Sequence, residues 1–166
     1  MSRKLFLGSS LLAVVVCAGA AIVAADSQGV TVPDGFRNWF AVNSMIVTKD
    51  SAMFTQIGGM HIVYINAKGL PTLKAGGPYP YPDGTIFTDD VHDFTVKDGV
   101  YAEGPKKAVT VMIKDAKKYA ETGGWGFQVF GGGDPTKPLV TDTKTACFVC
   151  HTPQKAQDFT FSTYIP

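Results

Sequence analysis

The sequence predicts an α+β fold, predominantly an antiparallel β-sheet with short helices, and three observations predict it. About five short runs alternate apolar and polar side chains, the period of two that marks a half-buried strand. Asp-Gly pairs at 83–84 and 98–99 stand beside those runs, where tight turns belong. The stretches with helical character are short and stop at glycine or proline. Lys and Arg number 15 against 14 Asp and Glu, which gives no basic excess to attract nucleic acid and no acidic tail. No internal repeat or low-complexity tract interrupts the chain.

Residues 1–25 read as a secretory signal peptide. Arg3 and Lys4 supply the basic start, Leu11-Leu12-Ala13-Val14-Val15-Val16 the apolar middle, and Ala24-Ala25 the small residues before a cleavage site. A retained membrane anchor is the alternative, because the apolar stretch reaches Ala25. Val16 is too bulky for Cys17 to mark a lipoprotein site. Cleavage would leave 26–166 as one domain, with Arg3 and Lys4 removed and therefore 13 basic against 14 acidic residues.

In order, Pro33-Asp34-Gly35 makes a turn into one or two helical turns reaching Phe40. Residues 42–47 are a candidate strand ending at the polar loop Thr48-Lys49-Asp50-Ser51. The clearest strand spans 60–66, rich in β-branched and aromatic residues. Its alternation puts His61, Val63 and Ile65 on one face, and Met60, Ile62 and Tyr64 on the other. Residues 67–74 connect, with Gly69 and Pro71 interrupting a short helix. Pro78, Pro80 and Pro82 exclude helix and central strand alike, so 76–84 is an extended loop.

Thr85-Ile86-Phe87-Thr88 is a strand by composition, and 93–96 is a further candidate before the Asp98-Gly99 turn. Residues 108–114 alternate Val109, Val111 and Ile113 against Thr110, Met112 and Lys114. Asp115 reads as the N-cap of a helix over 116–121 that Gly123-Gly124 stops. Trp125, Phe127 and Val129 share one face of the next strand, and Gly131-Gly132-Gly133 with Pro135 breaks it. A short helix is expected over 141–150. The alternation from Asp158 to Tyr164 suits either a returning strand or packing beside a cofactor.

That expected helix carries Cys147-Phe148-Val149-Cys150-His151, the C-x-x-C-H attachment motif of a c-type haem. Each thiol can add to one haem vinyl group, and the histidine then lies where its imidazole can ligate iron. The motif thus makes the C-terminal region a haem-attachment segment. The alternatives are a chance match, a zinc half-site or a redox CxxC. Zinc would need further ligands, and beyond His151 the chain offers only His61 and His92. A thioredoxin-like CxxC should open a helix in a βαβ unit, and no such pattern precedes it. Export and covalent haem support one another, because attachment occurs outside the cytoplasm. With both cysteines of 26–166 in the motif, no structural disulfide remains.

Further stretches carry a resemblance: Tyr81-Pro82-Asp83-Gly84-Thr85, then 112–119, then Thr122-Gly123-Gly124-Trp125-Gly126-Phe127. With the C-x-x-C-H motif and Asp158-Phe159-Thr160-Phe161 in this order, the chain resembles the cytochrome P-460 and cytochrome c′-beta family over 36–166. The resemblance implies a mostly β subunit, paired as a homodimer, with one covalently attached haem c per chain and His151 as the proximal iron ligand. It also implies a split in function. The c′-beta members leave the iron five-coordinate and bind nitric oxide. The P-460 members cross-link a lysine to the macrocycle and oxidise hydroxylamine.

The position matching that lysine is Asp89, and Lys74 and Lys97 flank it without occupying it. His61 matches a distal arginine of the oxidising members, and Thr110 a carboxylate. His61 can hydrogen-bond a ligand, close the iron as a sixth ligand, or serve only the core. Asp89 and Asp90 are the candidate bases, since hydroxylamine oxidation sheds protons. Val63, Phe87 and Thr110 join His61 as candidate distal residues, with Phe36, Phe40 and Phe54 as further aromatic caps. His92 is expected to be exposed, and the methionines to be packing. The reading is an exported haem protein whose open distal side takes a small nitrogenous or diatomic ligand, most plainly nitric oxide. Its rivals are a hydroxylamine or nitric oxide oxidoreductase and a six-coordinate electron carrier. No charge bias identifies a redox partner.

Overall fold

The structure, a computed structural model, describes residues 28–166. The expected leader over 1–25, Cys17 included, lies outside the described residues. Five strands form one antiparallel sheet in sequential order: β1 (Phe40–Val47), β2 (Gly59–Ile65), β3 (Ile86–Lys97), β4 (Val100–Lys114) and β5 (Trp125–Gly131). Two short helices, α1 (Phe54–Ile57) and α2 (Leu70–Ala75), occupy the first two connections. The α2 helix forms because Pro71 sits in its first turn, where a missing N–H removes no helical bond. Gly76 closes that helix at φ 65°. The architecture is the sheet-dominated α+β fold expected from the alternating runs.

Alternation divides the core between the two faces. One face carries Ile65, Phe87, Met112, Trp125 and Phe127, covered by Leu73 of α2, Tyr81 and the C-terminal segment. The other carries Tyr64, Val109, Val111 and Phe130, covered by Val30 and Phe36. The face assignments read from 60–66, 108–114 and 125–129 agree with this division. Phe130 is completely buried, which stabilises the fold by ~2–3 kcal/mol relative to an exposed ring.

Two local expectations change. The two strand fragments at 85–88 and 93–96 are parts of one long strand, β3, whose β4 partner begins directly after Asp98-Gly99. Bulges around His92 break the alternation there, which is why the sequence pattern fades. The helix over 116–121 is only a turn followed by a 3-10 element, Ala120–Thr122. Asp115 does accept the Lys118 N–H at 2.8 Å, but Gly124 N–H returns to the Tyr119 carbonyl and turns the chain after one coil. Of the two readings open for the tail from Asp158, it forms no strand, and Phe159 and Tyr164 pack on the first core. The α1 helix had no counterpart in the sequence reading.

Asp89 and Asp90 are neighbours on β3 and therefore point to opposite faces. Asp90 is 0% exposed on the second face, where Lys106 Nζ lies 2.6 Å away, His92 Nε2 3.2 Å and Arg37 Nε 3.3 Å. His92 is correspondingly buried rather than exposed, held between Asp90 and Glu103. A buried carboxylate costs heavily without cations, and here two are supplied from partly solvated side chains.

Replacing Asp90 by Asn leaves Arg37 and Lys106 without their shared anion, although both can turn toward water. The expected loss is about 2 kcal/mol of unfolding free energy in urea, below the usual cost of breaking a wholly buried pair. A change under ~0.5 kcal/mol would show that the cluster does not hold this face together.

Candidate functional site

The site has two halves on the first face, the C-terminal motif and an uncovered row of the sheet. Asp142 starts the motif's helical segment, accepting N–H bonds from Lys144 and Thr145 at 3.0 and 3.4 Å and the Thr145 hydroxyl at 2.8 Å. A π-helical turn (Lys144–Phe148) then runs into one α-helical turn (Val149–His151) and a 3-10 stretch (Thr152–Gln157). The helix therefore begins later and ends later than the expected 141–150. Cys147 and Cys150, three residues apart on this segment, are both free thiols, one half-buried and one exposed. Burial, with the nearby Cys150 and Asp142 charges, pushes the Cys147 thiol up to about 11. A thiol held so firmly protonated is not the activated thiolate of a redox CxxC.

His151 follows on the same turn. Its ring lies between Phe127 of β5 and Phe161, each with a centroid separation of 5.0 Å. The Nδ1 atom is 2.7 Å from the Phe159 carbonyl oxygen, which can only accept, so Nδ1 carries the proton. Burial holds the imidazole below its ordinary range, against a smaller opposing effect of that carbonyl. The ring is therefore neutral at neutral pH, and among the described residues Nε2 has no hydrogen-bond partner. A neutral imidazole with one nitrogen fixed and the other free is the form that ligates a metal. Two unpaired thiols on the same turn complete the donor set that a c-type haem requires. The residues fit that group.

The carbonyl that holds His151 is placed by two consecutive left-handed residues, Asp158 at φ 51° and Phe159 at φ 64°. Neither is glycine, and such conformations cost on the order of 1–3 kcal/mol each unless their surroundings impose them. Here the surroundings do. Asp158 is 6% exposed and bonded to Lys114, Tyr81 and Trp125, and the Phe159 ring lies over Gly123, where a side chain would collide with it. Gly123 also has φ 67°, so both its shape and its space demand glycine.

The second half is a transverse row on the same face. Strand register sets Val63 of β2, Asp89 of β3, Thr110 of β4 and Val129 of β5 side by side. All four are partly exposed, whereas the adjoining row of Ile65, Phe87, Met112 and Phe127 is buried. Phe127, which touches His151, is two residues from Val129 on β5, so the uncovered row begins directly beside the motif.

His61 enters the row diagonally. Its Nδ1 lies 2.7 Å from Asp89 Oδ2, and its Nε2 2.7 Å from the Ile57 carbonyl at the end of α1. Both neighbours are acceptors, so both ring nitrogens are donors and the ring is an imidazolium. Burial alone would lower its pKa, but the Asp89 hydrogen bond and charge, helped by the Ile57 carbonyl, raise it. Asp89 Oδ2 is thus committed, while its Oδ1 is buried and has no hydrogen-bond partner among the described residues. A buried carboxylate oxygen without a donor is uncommon and marks a place where one can arrive.

Of the other candidates, Phe87 belongs to the core, its ring against Tyr81 and Trp125. Asp90 and His92 face away, into the ionic cluster on the second face. Lys74 Nζ sits over the Phe40 and Tyr164 rings at 5.1 and 5.7 Å, and Lys97 is at the tip of the β3–β4 hairpin. Neither lysine is in the row. Val129 completes the row without having been named as a site residue, although its face had been assigned. The Ile57 and Phe159 carbonyls carry no side-chain signal at all. Among the described residues, no three His, Cys, Asp or Glu side chains converge as a metal site.

The model of the Cytochrome P460 family matches residues 33–162. No curated protein matches the chain.

The His61–Asp89 contact links stability to pH. Because the folded pKa of His61 is raised, its contribution is fully present below the ordinary value of 6.5 and is lost as pH rises through the folded value. The stability difference between the native chain and His61→Gln should therefore be full below about pH 6.5 and shrink as pH rises above it. Denaturant titrations giving a constant difference on both sides of that pH would show that His61 is not held charged.

Proposed function

The chain belongs to the Cytochrome P460 family and is a haem protein of that type, and we propose that it carries one haem c, bound through thioethers to Cys147 and Cys150 with His151 as the axial ligand. The observation that carries this reading is the state of His151, with Nδ1 bonded to the Phe159 carbonyl and Nε2 free beside two unpaired thiols. Export through the 1–25 leader, to the periplasm or beyond, belongs to the same reading, as does assembly into a homodimer. The domain is then 26–166.

When bound, the haem supplies an iron coordination position and one-electron chemistry. The protein decides what reaches that position. His61 is held at both nitrogens, so it has no lone pair with which to close the site, and the distal side stays open. Val63 and Val129 flank that side with apolar surface, suited to a small, weakly hydrated ligand such as nitric oxide. With Asp89 where the cross-linking lysine would stand, the macrocycle keeps a normal c-type spectrum.

The unpartnered Asp89 oxygen favours a second reading, an oxidoreductase acting on hydroxylamine. Nitric oxide brings no hydrogen, whereas hydroxylamine brings N–H and O–H groups that Asp89 Oδ1 can hold and deprotonate. His61 Nδ1 holds the other oxygen of that carboxylate at 2.7 Å and so fixes the direction in which Oδ1 points.

The test is the optical spectrum of the full chain matured in a host that attaches haem c. A c-type pyridine haemochrome that Cys147→Ala/Cys150→Ala abolishes, high-spin when reduced and shifted by nitric oxide, is the expected result. A low-spin ferrous spectrum without added ligand would sink the open-site reading, and a Soret band far to the red would reveal a modified macrocycle. Asp89→Asn separates the two readings. It should leave nitric oxide binding nearly unchanged and, if hydroxylamine is the substrate, slow its oxidation on the order of 10²-fold.

A further inference from the structure

Lys114 ends β4 with its side chain 4% exposed, an unusual place for an ammonium group. Its Nζ donates to Asp158 Oδ1 at 2.7 Å and to the Gly123 carbonyl at 3.0 Å, and stands 5.0 Å from the centre of the Trp125 ring. Asp158 is equally committed. Its Oδ2 accepts the Tyr81 N–H at 2.8 Å, and its own carbonyl accepts the Trp125 indole N–H at 2.8 Å. Every acceptor atom of Asp158 is thus tied to the sheet or to the proline-rich loop. The next residue is Phe159, whose carbonyl holds His151 Nδ1 at 2.7 Å.

We propose that Lys114 and Asp158 are positioning residues for the axial histidine, acting through the Phe159 carbonyl. This rests on the reading of His151 as the iron ligand. The pair pins the backbone on one side of Phe159, so the carbonyl cannot swing away when the imidazole moves. A fixed acceptor at Nδ1 selects the tautomer, orients the ring and increases the electron density that Nε2 can donate. The Lys114 ammonium thereby sets the strength of the axial bond without touching haem or ligand. A lysine buried in a cytochrome core is explained by this geometry, whereas apolar packing alone would be served by Met or Leu.

The experiment compares the reduced holoprotein with the double variant Lys114→Met/Asp158→Asn, which leaves no lone buried charge. The readouts are the iron–histidine stretching band by resonance Raman and the reduction potential, with circular dichroism and thermal unfolding as controls for the fold. The expected result is a band at lower frequency and a more positive potential, since a weaker axial donor stabilises ferric iron less. A folded double variant with native band and native potential overturns the proposal and leaves the pair a determinant of folding only. Should the double variant not fold, Lys114→Gln keeps a neutral donor to Asp158 and is read in the same way. A smaller displacement in the same direction supports the proposal, and native values overturn it. A native protein lacking either covalent haem or an iron–histidine band would instead defeat the underlying reading and take this proposal with it.

Discussion

The buried ion pair between Lys114 and Asp158 is the interaction on which the rest of the site depends. It joins the end of β4 to a segment 44 residues further along, and the same aspartate reaches the loop at Tyr81, 77 residues back. Together with the Tyr81 and Trp125 bonds to the same aspartate and the packing of Phe159 on Gly123, it imposes the left-handed corner at Asp158 and Phe159 and so fixes the direction of the C-terminal segment. With it, the thiols, the histidine and the uncovered row occupy one face. Ion pairs of this kind often contribute little net stability, because desolvation offsets their attraction. What this pair contributes is a single geometry.

Much of this was legible in the sequence, for reasons that can be stated residue by residue. The strands at 60–66, 108–114 and 125–130 were visible because each has one wet or polar row and one apolar row, and the period of two survives in the residue types. The C-x-x-C-H motif was visible because its chemistry needs those residues at that spacing. That Asp89 and Thr110 pair across β3 and β4 is a matter of register, which the residue types alone do not display. The remainder was hidden for equally physical reasons. The middle of β3 is masked by bulges and by a polar cluster that pairs with itself across strands, so charges that suggested exposure are buried. The helix after Asp115 failed because two glycines with positive φ reverse the chain before a second turn can form. The acceptors that orient His151 and His61 are main-chain carbonyls, which no sequence displays.

The sheet also separates two kinds of charge. Asp89 and Asp90 are one residue apart, yet one faces the motif and the other a cluster of Arg37, Lys106 and His92. Asp90 has its cations and is structural. Among the described residues, Asp89 is bonded to His61 and has one oxygen left over. Strand alternation alone produces that difference between adjacent identical residues, and it is why a carboxylate on the face of the motif need not disturb the ionic balance behind it.

The sequential meander has a consequence for the order of folding. Each strand pairs with the one before it, so the sheet is built from neighbouring stretches and can form early. The motif and the corner that anchors it follow all five strands in the chain. They therefore dock onto a face that already stands, and the burial of Cys147 waits until Asp158 meets Lys114.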